Sequence, residues 1–222
     1  MGAKMFGARV ARLEDPALLT GRGNFTDDIH LPGLLEAAFV RSPHAHARIR
    51  AIDATAARAH PGVHAVLTSA DLPAGLRDAT VPFQVPNAAI SQPLQQRLLE
   101  DREVHFVGEP IALVLADSRY VAEDAAALVE IDYEVLPAAG DCRAALADGA
   151  PVAHSASETN ECAKYTVGYG DVAAAFAEPA RVFQAALWTH RGGGHAIENR
   201  AVVASFEALH NVVTMWSATQ SP

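Results

Sequence analysis

The chain has 222 residues, a formal net charge of −9 and a pI near 5.5. It shows no cluster of Lys and Arg of the kind that holds a phosphate backbone. Nucleic acid and an anionic membrane surface are therefore excluded as expected partners. Hydrophobic residues make up 50% of the chain, but 46 of them are alanine, so the expected core is thin.

The apolar runs, such as residues 111–116, fall far short of the ~20 residues needed to span a bilayer. Residues 1–10 lack the apolar stretch of a secretory signal. The expectation is a cytoplasmic protein. Two cysteines, Cys142 and Cys162, are too few for an iron–sulfur cluster or a structural zinc held by this chain alone. They read as reduced thiols.

Residues 1–20 lack a sustained period and read as an arm. Residues 34–42 (LLEAAFVRS) predict a strand ended by Pro43. Residues 53–59 predict a short helix capped by Asp53, and residues 63–68 (VHAVLT) a strand. Residues 69–73 form a single turn, and residues 74–102 read as a long loop. Residues 111–116 are apolar throughout, as in a strand covered on both faces. Asp117 or Ser118 caps a helix over residues 120–129, with Val121, Ala125 and Leu128 on one face. Residues 130–136 (EIDYEVL) alternate as a half-buried strand, so residues 111–136 resemble a crossover unit.

Residues 137–162 are rich in Ala, Asp, Gly and Ser and read as a linker. A short helix capped by Asp171 follows, then a long strand over residues 181–190 and a glycine turn at residues 191–194. Residues 200–207 and 211–218 predict a hairpin.

Four features carry possible chemistry. His44 and His46 share a face of an extended segment, but two imidazoles do not make a stable metal site. They read as buried or interface contacts, and no metal ligand is assigned. Gly192, Gly193 and Gly194 offer backbone N–H groups but precede no Gly-Lys-Ser/Thr, and read as a turn. His195, Glu198 and Arg200 pair no nucleophile with a base, so Glu198 and Arg200 read as structural salt links and no catalytic residue is assigned. Gln220 stands at a strand end, where a side-chain amide suits a fixed hydrogen bond to a ligand.

The strings Arg12-Leu13-Glu14-Asp15-Pro16, Leu19-Thr20-Gly21-Arg22-Gly23 and Phe25-Thr26-Asp27-Asp28-Ile29 resemble the opening of the large subunit of molybdenum hydroxylases. That is the family of xanthine dehydrogenase, aldehyde oxidase and aerobic carbon monoxide dehydrogenase. The likeness continues through residues 41–49 (RSPHAHARI), Val107-Gly108-Glu109-Pro110-Ile111-Ala112, Ala122-Glu123-Asp124-Ala125-Ala126 and Gly170-Asp171-Val172. It ends on Trp216-Ser217-Ala218-Thr219-Gln220-Ser221-Pro222.

The resemblance implies an α+β protein: an α/β hammerhead domain followed by the beginning of a molybdopterin-binding domain. It divides the chain into an arm (1–19), the hammerhead (20–136), a linker (137–160) and the start of the cofactor domain (161–222). It implies a molybdenum–molybdopterin dinucleotide in the complete enzyme, with FAD and [2Fe-2S] clusters on partner subunits or domains. The implied partners are the remaining large-subunit polypeptide, an iron–sulfur subunit and an FAD subunit. Gln220 matches the family glutamine that hydrogen-bonds near the metal's oxo group, and so is the cofactor-binding residue. The family's Gly-Gly-Gly-Phe-Gly-Gly segment and its glutamate base do not occur in these residues. The implied function is the N-terminal part of a hydroxylase large subunit, inactive alone. The alternative is a stand-alone, non-catalytic hammerhead module for assembly or partner binding. The substrate stays open among CO, aldehydes, purines and N-heterocycles.

Overall fold

The structure, a computed structural model, describes residues 6–81, 89–92, 96–177, 179, 181–189, 192 and 196–219. In chain order its elements are α1 (Asp15–Leu19), β1 (Glu36–Arg41), β2 (Ala47–Asp53), α2 (Thr55–Arg58) and β3 (Val63–Thr68). Then come α3 (Ala74–Arg77), β4 (Thr80–Val81), β5 (Gln96–Arg97), β6 (Glu103–Val104) and β7 (Pro110–Ala116). The last are α4 (Arg119–Ala126), β8 (Glu130–Val135), α5 (Val172–Ala177), β9 (Val202–Glu207) and β10 (Val212–Ser217). The chain divides into two compact units: Leu34–Ala180, and Met1–Gly33 together with Arg181–Pro222. Among the described residues no helix is long and apolar enough to cross a membrane.

The unit Leu34–Ala180 is built on two three-stranded antiparallel sheets. In the first, β7 lies between β1 and β3; in the second, β2 lies between β6 and β8. Alternation in the sequence sets which face of each strand is covered. Ala112, Val114 and Ala116 are fully buried on one face of β7, whereas on the other Ile111 is buried and Leu113 and Leu115 are only half-buried. The strand expected to be covered on both faces thus has one dry face and one half-open face.

The dry face receives α2 and α4. Ala54, Ala57 and Ala125 are at most 3% exposed and pack with Val66, Val114 and Val129, and Ala122 is fully buried on the same helix as Ala125. This is where the alanine content acts: a methyl side chain lets a helix backbone approach the sheet closely. A second cluster, Ala47, Val104 and Ile111, fills the space under β2, and Ile52 and Ile131 touch both clusters.

Ser118 caps α4, its Oγ accepting the Val121 amide at 3.3 Å. Asp117, the other capping candidate, instead pairs with His64 Nε2 at 2.6 Å. The face of α4 turned to the core is Ala122 and Ala125, not the expected Val121 and Leu128. The helix ends at Ala126, so Leu128 lies past it and is 39% exposed. The crossover reading of residues 111–136 is also corrected. Both edges of β7 are taken by β1 and β3, so α4 delivers β8 to the free edge of β2 in the other sheet.

The expected loop over residues 74–102 contains α3 and the two-residue ladder of β4 with β5, its remaining stretches lying partly outside the described residues. Asp53 Oδ1 accepts the Thr55 amide at 2.8 Å, so it holds the start of α2 from one residue before the cap. Asp171 Oδ1 accepts the Ala174 amide at 2.9 Å and starts α5.

In the other unit, β9 and β10 pair in register from Val202↔Ser217 to Glu207↔Val212, as the hairpin pattern predicts. Asn211 takes φ +53° at the turn, a conformation asparagine tolerates. The strand expected over residues 181–190 is absent from the described residues 181–189, which carry no regular element. A strand needs a partner edge, and among the described residues β9 and β10 pair only with each other.

Candidate functional site

Polar chemistry in the Leu34–Ala180 unit gathers where β6 leads into the Val107-Gly108-Glu109 turn before β7. Gly108 has φ +93°, a conformation costly to residues with a Cβ. The Gly108 amide donates to Ser42 O at 2.8 Å and the Ser42 amide donates to Glu109 O at 2.9 Å. This double bond clamps the turn to the end of β1 and drives Glu109 inward, where it is 2% exposed.

Three carboxylates and three imidazoles meet there. Glu109 accepts the backbone amide of His105 on Oε2, and its Oε1 lies 3.4 Å from His105 Nδ1. Glu100, 5% exposed, turns Oε1 onto the amides of Asp101 and Arg102 at 3.1 and 2.9 Å. Glu103 Oε1 is a junction: His46 Nε2 lies at 2.9 Å, the Ser155 amide donates at 2.7 Å, and His105 Nε2 stands at 3.6 Å. The His154 ring stacks on His105 with centroids 4.0 Å apart.

Charge follows from these contacts. Burial disfavours a charged His105, but the Glu109 hydrogen bond and the charges of Glu109, Glu103 and Glu100 outweigh it and raise its pKa above the usual 6.5. Burial lowers the pKa of His154, and the charge of the stacked His105 lowers it further. Burial also opposes ionisation of Glu103, yet the Ser155 amide and the His46 ring hold it below the ordinary carboxylate value. Pro137 O can only accept, so His46 Nδ1, 2.8 Å away, carries a hydrogen.

Among the described residues, Glu100, His105 and Glu109 are a trio whose donor atoms lie within 4.8 Å of one another, close enough to share a cation. The cluster contains no nucleophile, and its groups bind one another and the backbone. It is built to hold segments together.

The sequence-predicted residues fall apart in space. His44 packs edge-on against Tyr133 with ring centroids 4.8 Å apart, whereas His46 enters the cluster. The expected shared face is lost because the chain bends between them before β2 begins at Ala47. Glu198 makes no salt link among the described contacts; its Oε1 accepts the Thr26 amide at 2.6 Å. Gln220, His195, Gly193 and Gly194 lie outside the described residues. Sequence reasoning missed Glu100, Glu103, His105 and His154. Their only linear signal is the Glu-x-His-x-x-x-Glu spacing of residues 103–109, which sequence alone does not tie to residue 154.

Comparison with known proteins gives two family matches. Residues 20–137 match the aldehyde oxidase and xanthine dehydrogenase a/b hammerhead domain, and residues 153–222 match the molybdopterin cofactor-binding domain. The chain is 38% identical to the nicotine 6-hydroxylase large subunit of Paenarthrobacter nicotinovorans, covering 98% of this chain and 26% of that one. It is 37% identical to the carbon monoxide dehydrogenase large chain of Afipia carboxidovorans, over 97% of this chain and 27% of that one. Among solved structures, quinoline 2-oxidoreductase from Pseudomonas putida 86 superimposes with a TM-score of 0.81 at 38% identity, covering 95% of this chain and 26% of that one. The chain thus spans about a quarter of the length of these relatives.

The described part of residues 153–222 does not by itself fit a bound pterin dinucleotide. Its hairpin is mostly exposed along both strands, and it contains no buried polar side chain to grip the group.

Proposed function

The chain belongs to the aldehyde oxidase and xanthine dehydrogenase family, and from that premise we propose that it forms the first part of a molybdenum hydroxylase large subunit, completed by further polypeptide and inactive without it. In this reading residues 1–19 are an arm, 20–136 the hammerhead, 137–160 a linker and 161–222 the start of the cofactor-binding domain. The partners are the remaining large-subunit polypeptide, an iron–sulfur subunit and an FAD subunit, and the compartment is the cytoplasm. The molybdenum–molybdopterin dinucleotide supplies the redox chemistry once bound in the completed protein. Gln220 is the residue of this chain that hydrogen-bonds to it.

One observation carries the reading. Val202, Phe206, Val213 and Met215, on one face of the hairpin, are between 61% and 66% exposed. Apolar surface gathered on one small hairpin marks a face that another part of a protein covers. A stand-alone module would leave it in water, which disfavours the alternative. Relatives named for nicotine hydroxylation and for carbon monoxide dehydrogenation share nearly equal identity with this chain, 38% and 37%. We therefore place substrate choice outside it.

The test compares the 222-residue chain with the full-length large subunit co-expressed with its iron–sulfur and FAD partners. Molybdenum content and dye reduction are measured with CO, an aldehyde, a purine and an N-heterocycle. The isolated chain should hold no molybdenum and turn over none of them; turnover by it alone would overturn the proposal. In the assembled enzyme Gln220→Ala should slow turnover without lowering subunit yield. An unchanged rate would remove Gln220 from the site.

A further inference from the structure

The hammerhead match ends at residue 137 and the cofactor-domain match begins at residue 153, yet the compact unit runs on to Ala180. The first residues of the second match are therefore packed into the first unit. Gln92 Nε2 donates to Thr159 O and Glu161 O at 2.8 and 2.7 Å, and the Ser91 amide donates to Cys162 O at 2.9 Å. These contacts are neutral. The attachment at residues 154–155 is ionic in character: the Ser155 amide sits on the Glu103 carboxylate and the His154 ring on the His105 ring.

We propose that Glu103, His105 and His154 form a pH-gated clasp that fastens the entry of the cofactor-binding domain to the hammerhead. It is closed when His154 is neutral and Glu103 is ionised. It opens when both rings are charged.

Every titratable group facing the clasp fits this assignment. Glu109, Glu103 and Glu100 surround His105, so the shared proton resides there. A second proton on His154 would set two cations 4.0 Å apart between ring centres, against the burial of both rings. His46 faces Glu103 from the start of β2 and keeps its Oε1 from turning away from Ser155. Two stacked rings with opposed shifts titrate as a coupled pair, one proton at a time.

The direction of the pH effect follows from linkage. His154, whose pKa is lowered by docking, contributes attachment that is intact above 6.5 and lost as pH falls through its docked value. Glu103 behaves likewise, its contribution intact above 4.5 and lost below. The raised pKa of His105 comes from Glu109, Glu103 and Glu100, none of them in the docked segment, so His105 adds no alkaline limb. Attachment is therefore full above 6.5 and weakens as pH falls below it.

The test is the hydrogen-exchange protection of the Ser155 amide in the 222-residue chain from pH 5 to 9, corrected for intrinsic exchange, with the Val114 amide as a core reference. Ser155 protection should stay level above 6.5 and fall below it by up to about tenfold per pH unit, while Val114 stays protected. His154→Phe keeps a stacking ring without a titrating group, and should move the acid limb to lower pH. Glu103→Gln should lower Ser155 protection at every pH. A flat Ser155 profile, an acid limb unmoved by His154→Phe, or loss of Val114 protection in parallel with Ser155 would each overturn the clasp. None of these readings depends on the chain's activity.

Discussion

The two compact units hold their shape by different means. Among the described residues of Leu34–Ala180, thirteen apolar side chains are buried, and the helices α2 and α4 close over the sheet of β7. Among the described residues of the other unit only Thr26 is buried, held by Glu198 through its amide. There the hairpin is maintained by its own ladder, and its side chains face water. Backbone pairing alone makes a local element; burial makes a cooperative one. The first unit has both, the second only the ladder, which is the physical sense in which one is finished and the other awaits a surface.

The sharpest way to break this contrast is to cut the core. Ile111 is fully buried in β7 and packs with Ala47 and Val104. Ile111→Ala should cost about 2–5 kcal/mol, read from chemical denaturation by far-UV circular dichroism. Both tryptophans, Trp188 and Trp216, lie in the other unit. Their emission should therefore not follow the shifted transition. If it does, the units are one cooperative body and the contrast fails. A smaller cut is Ser118→Ala, which removes the Oγ acceptor of the Val121 amide at the start of α4. Its expected cost is about 1 kcal/mol by the same measurement, with the emission again unmoved.

How much of this was legible in the sequence follows the same divide. Strands β1, β3, β7 and β8, the capped helix α4 and the β9–β10 hairpin were readable, because local alternation and turn residues specify them. The pairing of β8 with β2 was not, since it depends on which edge is free after β1 and β3 have bound β7. The candidate cluster was hidden for a related reason. His46, Glu103, His105 and His154 span a long stretch of chain and meet only through the Gly108 turn and the return of residues 154–155. Local spacing carries no trace of such a meeting. The likeness to a known family implies a division into domains but is silent on these contacts.

The smallest expected effect on this chain sharpens the contrast from the other side. Phe206 is 61% exposed on β9, opposite Val213. Phe206→Ser exchanges a half-wet ring for a hydroxyl that water solvates, so stability of the 222-residue chain should change by less than about 0.5 kcal/mol. In the completed large subunit the same ring is proposed to be covered, and truncating a covered Phe costs several-fold more. Thermal denaturation of the two forms reads the difference. Equal, small shifts in both would mean that the hairpin's apolar face stays in water, and would leave the exposed surface of the second unit without the partner it is argued to need.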